Sequence, residues 1–98
     1  MLLAGKTALV TGAANRIGAQ IARTLHQNGA NLIIHYRNSS TSARALEQDL
    51  NAERRDSAVC YQADLSDIDT IESLAQKAAQ AFDRLDILVN NASSFYPT

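Results

Sequence analysis

Four short apolar segments alternate with three helical patterns along the chain, and this alternation restricts the possible folds more than any other feature. The strand-like segments are residues 7–10, 32–34, 58–61 and 87–89. Their apolar residues are continuous, which is typical of strands buried on both faces of a parallel sheet. The order β-α-β-α-β-α-β and the right-handed crossover rule predict an α/β fold, a doubly wound parallel sheet with strand order 3-2-1-4.

The segments between the strands have helical periodicity. Ile17 and Ile21 begin a series of apolar residues four apart, which predicts one buried stripe on the first helix. A surface helix is predicted over residues 41–54. Ser66, with Asp69 three residues later, resembles a capping box and predicts the start of the third helix.

Composition excludes several classes of function. A chain of 98 residues is one domain at most, and its net charge of −1 argues against a nucleic-acid partner or an anionic membrane surface. The apolar runs are shorter than the roughly 18–20 residues of a membrane span. One cysteine, Cys60, rules out an internal disulfide and fits a reducing, cytoplasmic location. His26 and His35 have no second ligand at metal-binding spacing, so no metal site is predicted.

The turn after the first strand, residues 11–18, leads directly into a helix. Its small residues would let the backbone approach a pyrophosphate, and a helix N-terminus supplies N–H groups and partial positive charge. The G-x-G-x-x-G spacing is missing, and such turns also occur for close packing alone. Of these two interpretations, the flanking strand and helix favour a dinucleotide site.

The end of the second strand indicates which dinucleotide. The sequence there is His35, Tyr36, Arg37, Asn38, Ser39. A site for NAD places a carboxylate at this point for the ribose hydroxyls, whereas a guanidinium with nearby hydroxyl and amide donors suits a 2′-phosphate. Arg16 can converge on the same side. The residues therefore favour NADP(H) over NAD(H); the alternative is that Arg37 is a solvated loop charge.

The remaining strand ends allow more than one interpretation. Asp64, beside Leu65, could accept a hydrogen bond from an adenine amino group or simply form the turn before the third helix. The residues that begin at Asn91 suit a ribose or a nicotinamide, but paired asparagines also serve as turn residues. Phe95 and Tyr96 could stack on a flat ligand or be buried against another part of the chain.

Three motifs in this order resemble the N-terminal half of a short-chain dehydrogenase/reductase. They are the turn 11–18, the Asp64-Leu65 pair and the run Asn90-Asn91-Ala92. Arg16 replaces the middle glycine of the family pattern Thr-Gly-x-x-x-Gly-x-Gly, and this substitution, with residues 35–37 and 90–98, resembles the pteridine reductases. The resemblance covers essentially the whole chain and implies that residues 1–98 are the N-terminal, cofactor-binding part of a single Rossmann-type domain.

The resemblance also implies roles for individual residues. The expected NADP(H) contacts are Gly12, Arg16, Ile17 and Gly18 at the pyrophosphate, His35, Tyr36, Arg37, Asn38 and Ser39 at the 2′-phosphate end, Asp64 and Leu65 at the adenine, and Asn91, Ala92 and Ser93 at the nicotinamide-side ribose. The expected substrate contacts are Arg16, Ser93 and Phe95, with Phe95 stacked on a pterin ring. The implied reaction is hydride transfer from NADPH to a C=N bond of a dihydropterin.

The family's proton-relaying pair, Tyr-x-x-x-Lys, does not occur in residues 1–98. No catalytic residue is therefore assigned, and the remainder of the same polypeptide is expected to supply the pair. Family members usually assemble, which implies a homo-oligomer, a tetramer by resemblance. Two alternatives remain: a short-chain reductase of another carbonyl or imine, and a non-catalytic NADPH-binding module.

Overall fold

The computed structural model describes residues 2–91, which form a four-stranded parallel sheet and three helices. The strands are β1 (Thr7–Val10), β2 (Asn31–Tyr36), β3 (Ala58–Gln62) and β4 (Ile87–Val89). The helices are α1 (Arg16–Gln27), α2 (Ser40–Glu53) and α3 (Ile68–Ala81). The strand order β3-β2-β1-β4 confirms the predicted α/β, Rossmann-type sheet.

Both faces of the two central strands are covered. One face carries Ala8, Val10, Leu32 and Ile34, and it packs with the buried residues of α1 and α2. The other face carries Leu9 and Ile33, which pack with Leu74 and Ala78 of α3. Successive side chains of a strand point to opposite faces, so continuous apolar runs are what a sheet covered on both sides requires.

The buried stripe predicted for α1 is wrong at its first residue. Ile17 is 69% exposed, and the buried residues of the helix are Gly18, Ala22 and His26. A Cβ on Gly18 would lie 2.3 Å from the carbonyl oxygen of Gly12. The start of α1 therefore approaches the turn too closely for a large side chain, and its small face turns inward.

The predicted cap of α3 is also wrong. Asp67 is the N-cap residue, and its carboxylate accepts from the N–H of Asp69 at 3.0 Å. Ser66 instead donates its N–H and its hydroxyl to Oδ1 of Asp64, at 3.0 and 2.7 Å. The serine hydroxyl is engaged in the preceding turn, which leaves capping to the next residue.

The fold also bears on Cys60, on metal binding and on membrane-spanning helices. The Cys60 side chain is half-buried in β3, and burial, followed by the nearby Glu47 carboxylate, raises the pKa of the thiol. In residues 2–91 we find no cluster of three His, Cys, Asp or Glu side chains that could hold a metal ion. Over the same part of the chain, no helix has both the length and the apolar character needed to cross a membrane.

Candidate functional site

The carboxyl ends of the four strands meet at one edge of the sheet, where parallel α/β sheets bind their ligands. The turn after β1, the end of β2, the turn after β3 and the end of β4 all lie there. These segments contain the predicted contacts from Gly12 to Asn91. Ala92, Ser93 and Phe95 lie outside the described residues, so their predicted roles remain predictions.

The turn after β1 is fixed to β2 through its backbone. Gly12 has φ of +64°, a left-handed conformation that favours glycine. Its N–H donates to Nδ1 of His35 at 2.9 Å, and the N–H of Ala13 donates to the carbonyl oxygen of His35 at 2.9 Å. The path of the turn therefore depends on both the backbone and the side chain of one residue in the neighbouring strand.

Helix α1 begins directly after this turn. Asn15 is the N-cap residue, and its Oδ1 accepts from the N–H of Gly18 at 2.7 Å. Arg16 and Ile17 occupy the first two helical positions, where backbone N–H groups have no acceptor within the helix. These donors and the helix dipole make the start of α1 suitable for an anion.

Gly18 allows the helix and the turn to come together. A Cβ at this position would meet the Gly12 carbonyl oxygen at 2.3 Å, Nδ2 of Asn91 at 2.6 Å and Cα of Ala13 at 2.8 Å. Real Cβ atoms do not approach so closely, and two of these three neighbours belong to the backbone. Glycine is therefore required here for close packing, which is the second interpretation of the turn, and that packing also shapes the candidate anion site.

Asn91 links the end of β4 to the same turn. Its N–H donates to the hydroxyl of Thr11 at 2.8 Å. Its side-chain amide lies 3.3 Å from Oδ1 of Asn15 and 3.4 Å from the carbonyl oxygen of Gly12. The amide thus bridges two elements of the turn, and the described part of the site is continuous from β4 to α1.

A cleft opens beside the start of α1. Its volume is about 880 Å³, and its lining residues are Asn15, Arg16, Ile17, Gln20, Ile21 and Asn91. Ile17 and Ile21 provide an apolar wall, while Arg16 places an exposed guanidinium at the rim. Concave sites of this kind combine apolar surface with a few polar groups that orient a ligand. The exposure of Ile17, which contradicts its predicted burial, gives this wall its surface.

The ends of β2 and β3 bring Arg37 and Asp64 together. Nη2 of Arg37 lies 3.9 Å from Oδ2 of Asp64, and both side chains are about half exposed. Hydrogen bonds from the hydroxyl and then the N–H of Ser66 lower the pKa of Asp64, with a smaller contribution from Arg37. Arg37 therefore has a charged carboxylate beside it, although the two residues were predicted to contact different parts of a ligand.

The other residues at the end of β2 differ in their accessibility. Asn38 and Ser39 are exposed, and Ser39 precedes α2 without a capping hydrogen bond from its side chain. Tyr36 is 9% exposed, and its side chain belongs to the core shared with α1 and α2. Leu65 is partly buried against the α3 face of the sheet. The Tyr36 side chain is therefore not open to a ligand, and its carbonyl oxygen accepts from the N–H of Ala63 at 3.0 Å, whereas Asn38 and Ser39 are exposed.

His35 has a contact pattern that the sequence did not predict. The residue is 2% exposed, and its Nε2 lies 2.8 Å from the carbonyl oxygen of Ala63 while Nδ1 accepts from Gly12. Burial lowers the pKa of its ring. The ring therefore joins the turn after β1 to the end of β3. Its position at a strand end was the only signal in the sequence, and that signal did not distinguish ligand contact from support of the turns.

Comparison with known proteins identifies similar chains. A family model described as short chain dehydrogenase matches residues 6–97. Pteridine reductase 1 of Leishmania tarentolae is 42% identical over 108 residues, which covers 93% of this chain and 37% of that protein. Hydroxynaphthalene reductase arp2 of Aspergillus fumigatus is 46% identical over 90 residues, covering 92% and 33%. A 3-oxoacyl-(acyl-carrier-protein) reductase, FabG of Staphylococcus aureus, is 38% identical over 87 residues, covering 89% and 35%. The chain thus spans about a third of the length of these relatives.

Proposed function

The chain belongs to the short chain dehydrogenase family, and from that premise we propose that it is the cofactor-binding part of an NADPH-dependent reductase that acts on a C=N bond of a pteridine. The observation that carries the proposal is Arg37 at the end of β2, followed by the exposed Asn38 and Ser39. The relatives are named as reductases of a pteridine, a hydroxynaphthalene and a 3-oxoacyl group, which supports reduction as the shared reaction.

The residues present fit a dinucleotide. Gly18 lets the start of α1 pack against the turn after β1, so that the first helical N–H groups lie at the edge of the sheet where a pyrophosphate could bind. The first helical N–H groups, at Arg16 and Ile17, have no acceptor within α1. The Arg16 guanidinium adds a full positive charge beside them.

The preference for a 2′-phosphate depends on competition at Arg37. The Asp64 carboxylate carries a charge of about −1 and already has Oδ1 engaged by Ser66. A phosphate monoester carries about −1.5 to −2 at pH 7 and offers three acceptor oxygens. A guanidinium binds such a group through two parallel hydrogen bonds. The separation of 3.9 Å between Arg37 and Asp64 is longer than a hydrogen bond, so a phosphate should displace this contact.

In the proposed reaction, this chain binds and orients the reactants. The bound nicotinamide cofactor supplies the hydride. Ile17 and Ile21 would exclude water from one side of the cleft, and Arg16 would hydrogen-bond polar atoms of the substrate at its rim. The proton that accompanies the hydride requires a donor, and the Tyr-x-x-x-Lys pair is not found in residues 1–98. We therefore propose that the same polypeptide supplies this pair outside residues 1–98.

Two observations favour a pteridine as substrate. Arg16 stands at the position where the family pattern has a glycine, and it lies on the cleft. The chain is also 42% identical to a pteridine reductase. The identity of 46% to a hydroxynaphthalene reductase supports a second candidate, the reduction of a hydroxynaphthalene. Both substrates are planar, so the apolar wall of Ile17 and Ile21 is compatible with either.

Binding of NADPH and NADH to the complete polypeptide tests the choice of cofactor. Wild-type protein should prefer NADPH, and Arg37→Ala should weaken NADPH binding by about 10- to 100-fold, as expected for loss of hydrogen bonds to a charged group. The affinity for NADH should change little. Arg55→Ala is the matched control, since this guanidinium is 95% exposed and lies beyond the end of α2. Equal affinity of wild-type protein for both cofactors would contradict the role of Arg37.

The substrate class requires a separate measurement. Oxidation of NADPH by the complete polypeptide should be followed with a dihydropterin, a hydroxynaphthalene and a 3-oxoacyl thioester. The proposal expects the highest kcat/KM with the dihydropterin, and it expects Arg16→Gly to reduce that value more than the value for the thioester. A higher kcat/KM with the naphthalene compound would favour the second candidate, and binding of NADPH without turnover of any substrate would favour a non-catalytic module.

A further inference from the structure

The hydrogen bonds of His35 fix which form of the ring is present. A backbone N–H can only donate and a backbone carbonyl can only accept. Nδ1 must therefore be unprotonated, because it accepts from Gly12 at 2.9 Å. Nε2 must carry the hydrogen, because it faces the carbonyl oxygen of Ala63 at 2.8 Å. This geometry requires one neutral tautomer.

We propose that the neutral His35 ring is a positioning residue that holds the turn after β1 against the end of β3, and that protonation of the ring releases this turn. A second proton would sit on Nδ1 and point at the N–H of Gly12. Two donors would then face each other at a part-buried position, and the Gly12 N–H would lose its acceptor. An unsatisfied buried donor and an unpaired buried charge are both unfavourable, so the turn should move away from the ring.

The charged and titratable groups around His35 do not offset a positive ring. Tyr36 follows His35 on β2, and its side chain belongs to the core shared with α1 and α2. Arg37 and Asp64 lie just beyond the ends of β2 and β3, and they face each other at half-exposed positions. Tyr61 pairs with His35 in the sheet register, and Lys77 of α3 lies 5.7 Å from the Tyr61 ring centre. Burial lowers the pKa of His35, and the bond to Ala63 only partly opposes it. The ring is therefore neutral at pH 7 and becomes charged only in acid.

Release of the turn would disturb the contacts that the Gly12 carbonyl oxygen makes at the start of α1. The carbonyl oxygen of Gly12 lies close to Gly18 and 3.4 Å from Nδ2 of Asn91. A shift of Gly12 thus changes the position of the first helical N–H groups. If the chain binds a dinucleotide as proposed above, protonation of His35 in acid should therefore weaken that binding, even though the His35 ring is buried.

The first experiment needs no ligand. NMR of the complete polypeptide, labelled with ¹⁵N, should show an unprotonated Nδ1 and a protonated Nε2 for His35 near neutral pH. On acidification, the Gly12 amide should lose its hydrogen-exchange protection with the same midpoint as the ring. A Gly12 amide whose protection does not change while the ring becomes protonated would overturn the proposal, and so would the opposite tautomer.

Two substitutions separate the two ring contacts. The side-chain oxygen of His35→Asn can replace Nδ1 as the acceptor for Gly12, while the amide of His35→Gln can replace Nε2 as the donor to Ala63. Protection of the Gly12 amide should persist in acid in His35→Asn and should be lost at every pH in His35→Gln. If His35→Asn does not fold, His35→Gln and the wild-type titration still decide the question, because a protected Gly12 amide in His35→Gln would contradict the proposal.

The second experiment measures the Kd of NADP⁺ from about pH 8 to about pH 5, the range in which histidines titrate. The 2′-phosphate also titrates there, so the readout is the ratio of the wild-type Kd to the His35→Asn Kd at each pH. This ratio should rise about tenfold in acid, the equivalent of one hydrogen bond. His26→Gln is the control, because His26 is buried at the other end of the sheet. The Kd of NADP⁺ for this variant should follow the wild-type curve. A flat ratio would overturn the proposed effect on affinity. No NADP⁺ binding at any pH would instead refute the proposed function, and the amide measurement would then decide the inference.

Discussion

Two buried histidines lie at opposite ends of the sheet, and the structure holds them in different ways. His35, at the carboxyl end, is 2% exposed and has backbone partners on both ring nitrogens. His26, at the end of α1, is also 2% exposed, but Nε2 lies 2.7 Å from the hydroxyl of Ser57 and Nδ1 lies 3.6 Å from the carboxylate of Glu53. One histidine supports turns, whereas the other belongs to a side-chain network.

The network at the amino end satisfies the last carbonyl groups of two helices. The Ser57 hydroxyl lies 3.3 Å from the carbonyl oxygen of Leu50 and also contacts that of Arg54. The Arg54 guanidinium donates to the carbonyl oxygens of His26, at 3.1 Å, and Ala30. Helix ends buried without such partners would be costly. Side chains thus satisfy the helix ends at the amino end, while at the carboxyl end the first two N–H groups of α1 have no acceptor within the helix and Arg16 and Arg37 are exposed.

The largest expected effect is at the carboxyl end, where Gly18→Ala should lower the free energy of unfolding by about 3 kcal/mol, since overpacking against backbone forces a shift. The new Cβ would meet the Gly12 oxygen at 2.3 Å. Dinucleotide affinity should fall with stability. Gly5→Ala is the control: it has φ of +80° but no neighbour within 4 Å, so only the roughly 1 kcal/mol of a left-handed alanine is expected. Denaturant titration measures the free energy of unfolding of both variants, and an equal decrease in the two would show that the close contact at Gly18 is not the cause.

At the amino end, Ser57→Ala should lower the free energy of unfolding by about 2 kcal/mol, because it removes a buried hydroxyl that acts as both donor and acceptor. The affinity for NADPH, measured where the variant is still folded, should be unchanged. Ser42→Ala, at an exposed position of α2, should be neutral or slightly stabilising. A change in NADPH affinity with Ser57→Ala would show that the two ends of the sheet are coupled rather than independent.

Acid should reduce stability through both histidines, because burial lowers the pKa of each ring. Burial, and then Arg54, lowers the pKa of His26, while Glu53 acts in the opposite direction. A histidine whose folded pKa lies below its unfolded value of about 6.5 binds more protons when unfolded, so its contribution is complete above that pH and declines as the pH falls toward the folded pKa. His26→Gln should flatten this part of the curve of unfolding free energy against pH. If the unfolding free energy of the double variant His26→Gln, His35→Asn still declined between about pH 6.5 and the folded pKa, the histidines would not be the cause of this decline.

Asp86 provides a separate acid window at the amino end. The Arg84 guanidinium, followed by the N–H of Thr7, lowers the pKa of this carboxyl to about 2. Since its folded pKa lies below the ordinary value of 3.8, its contribution is present above that pH and is lost as the pH falls toward 2. Asp86→Asn should remove only this low-pH part of the curve. An altered slope near pH 6 in this variant would contradict the separation of the two windows.

The smallest effect is expected at an exposed pair that belongs to neither end. Arg23 and Asp49 form an ion pair of 2.9 Å with side chains 41% and 59% exposed. Asp49→Ala should change the free energy of unfolding by less than about 0.5 kcal/mol, since exposed ion pairs contribute little and salt screens them. The measured value in high salt gives a baseline for the other variants. A loss as large as that of Ser57→Ala would mean that surface charge rather than burial determines the ranking.

The sequence was sufficient for the sheet but not for its supporting contacts. Continuous apolar runs identify strands that are buried on both sides, and their order requires a parallel sheet. Periodicity could not show that Gly18 rather than Ile17 faces inward, because that depends on the path of the turn after β1. Nor could spacing predict the meeting of His26 with Ser57, which is 31 residues away in the chain. The local capping pattern failed at Ser66 for a different reason, because the neighbouring Asp64 accepts from its hydroxyl.

The pairing of β4 with β1 has a consequence for the order of folding. The contact of Gly12 with His35 joins residues 23 apart, whereas that of Thr7 with Asp86 joins residues 79 apart. Closing the longer loop costs about 1 kcal/mol more in chain entropy, and distant pairings form more slowly than near ones. The first three strands should therefore assemble before the fourth arrives. Asn91, which bridges the turn, would then be among the last residues to reach its place during folding.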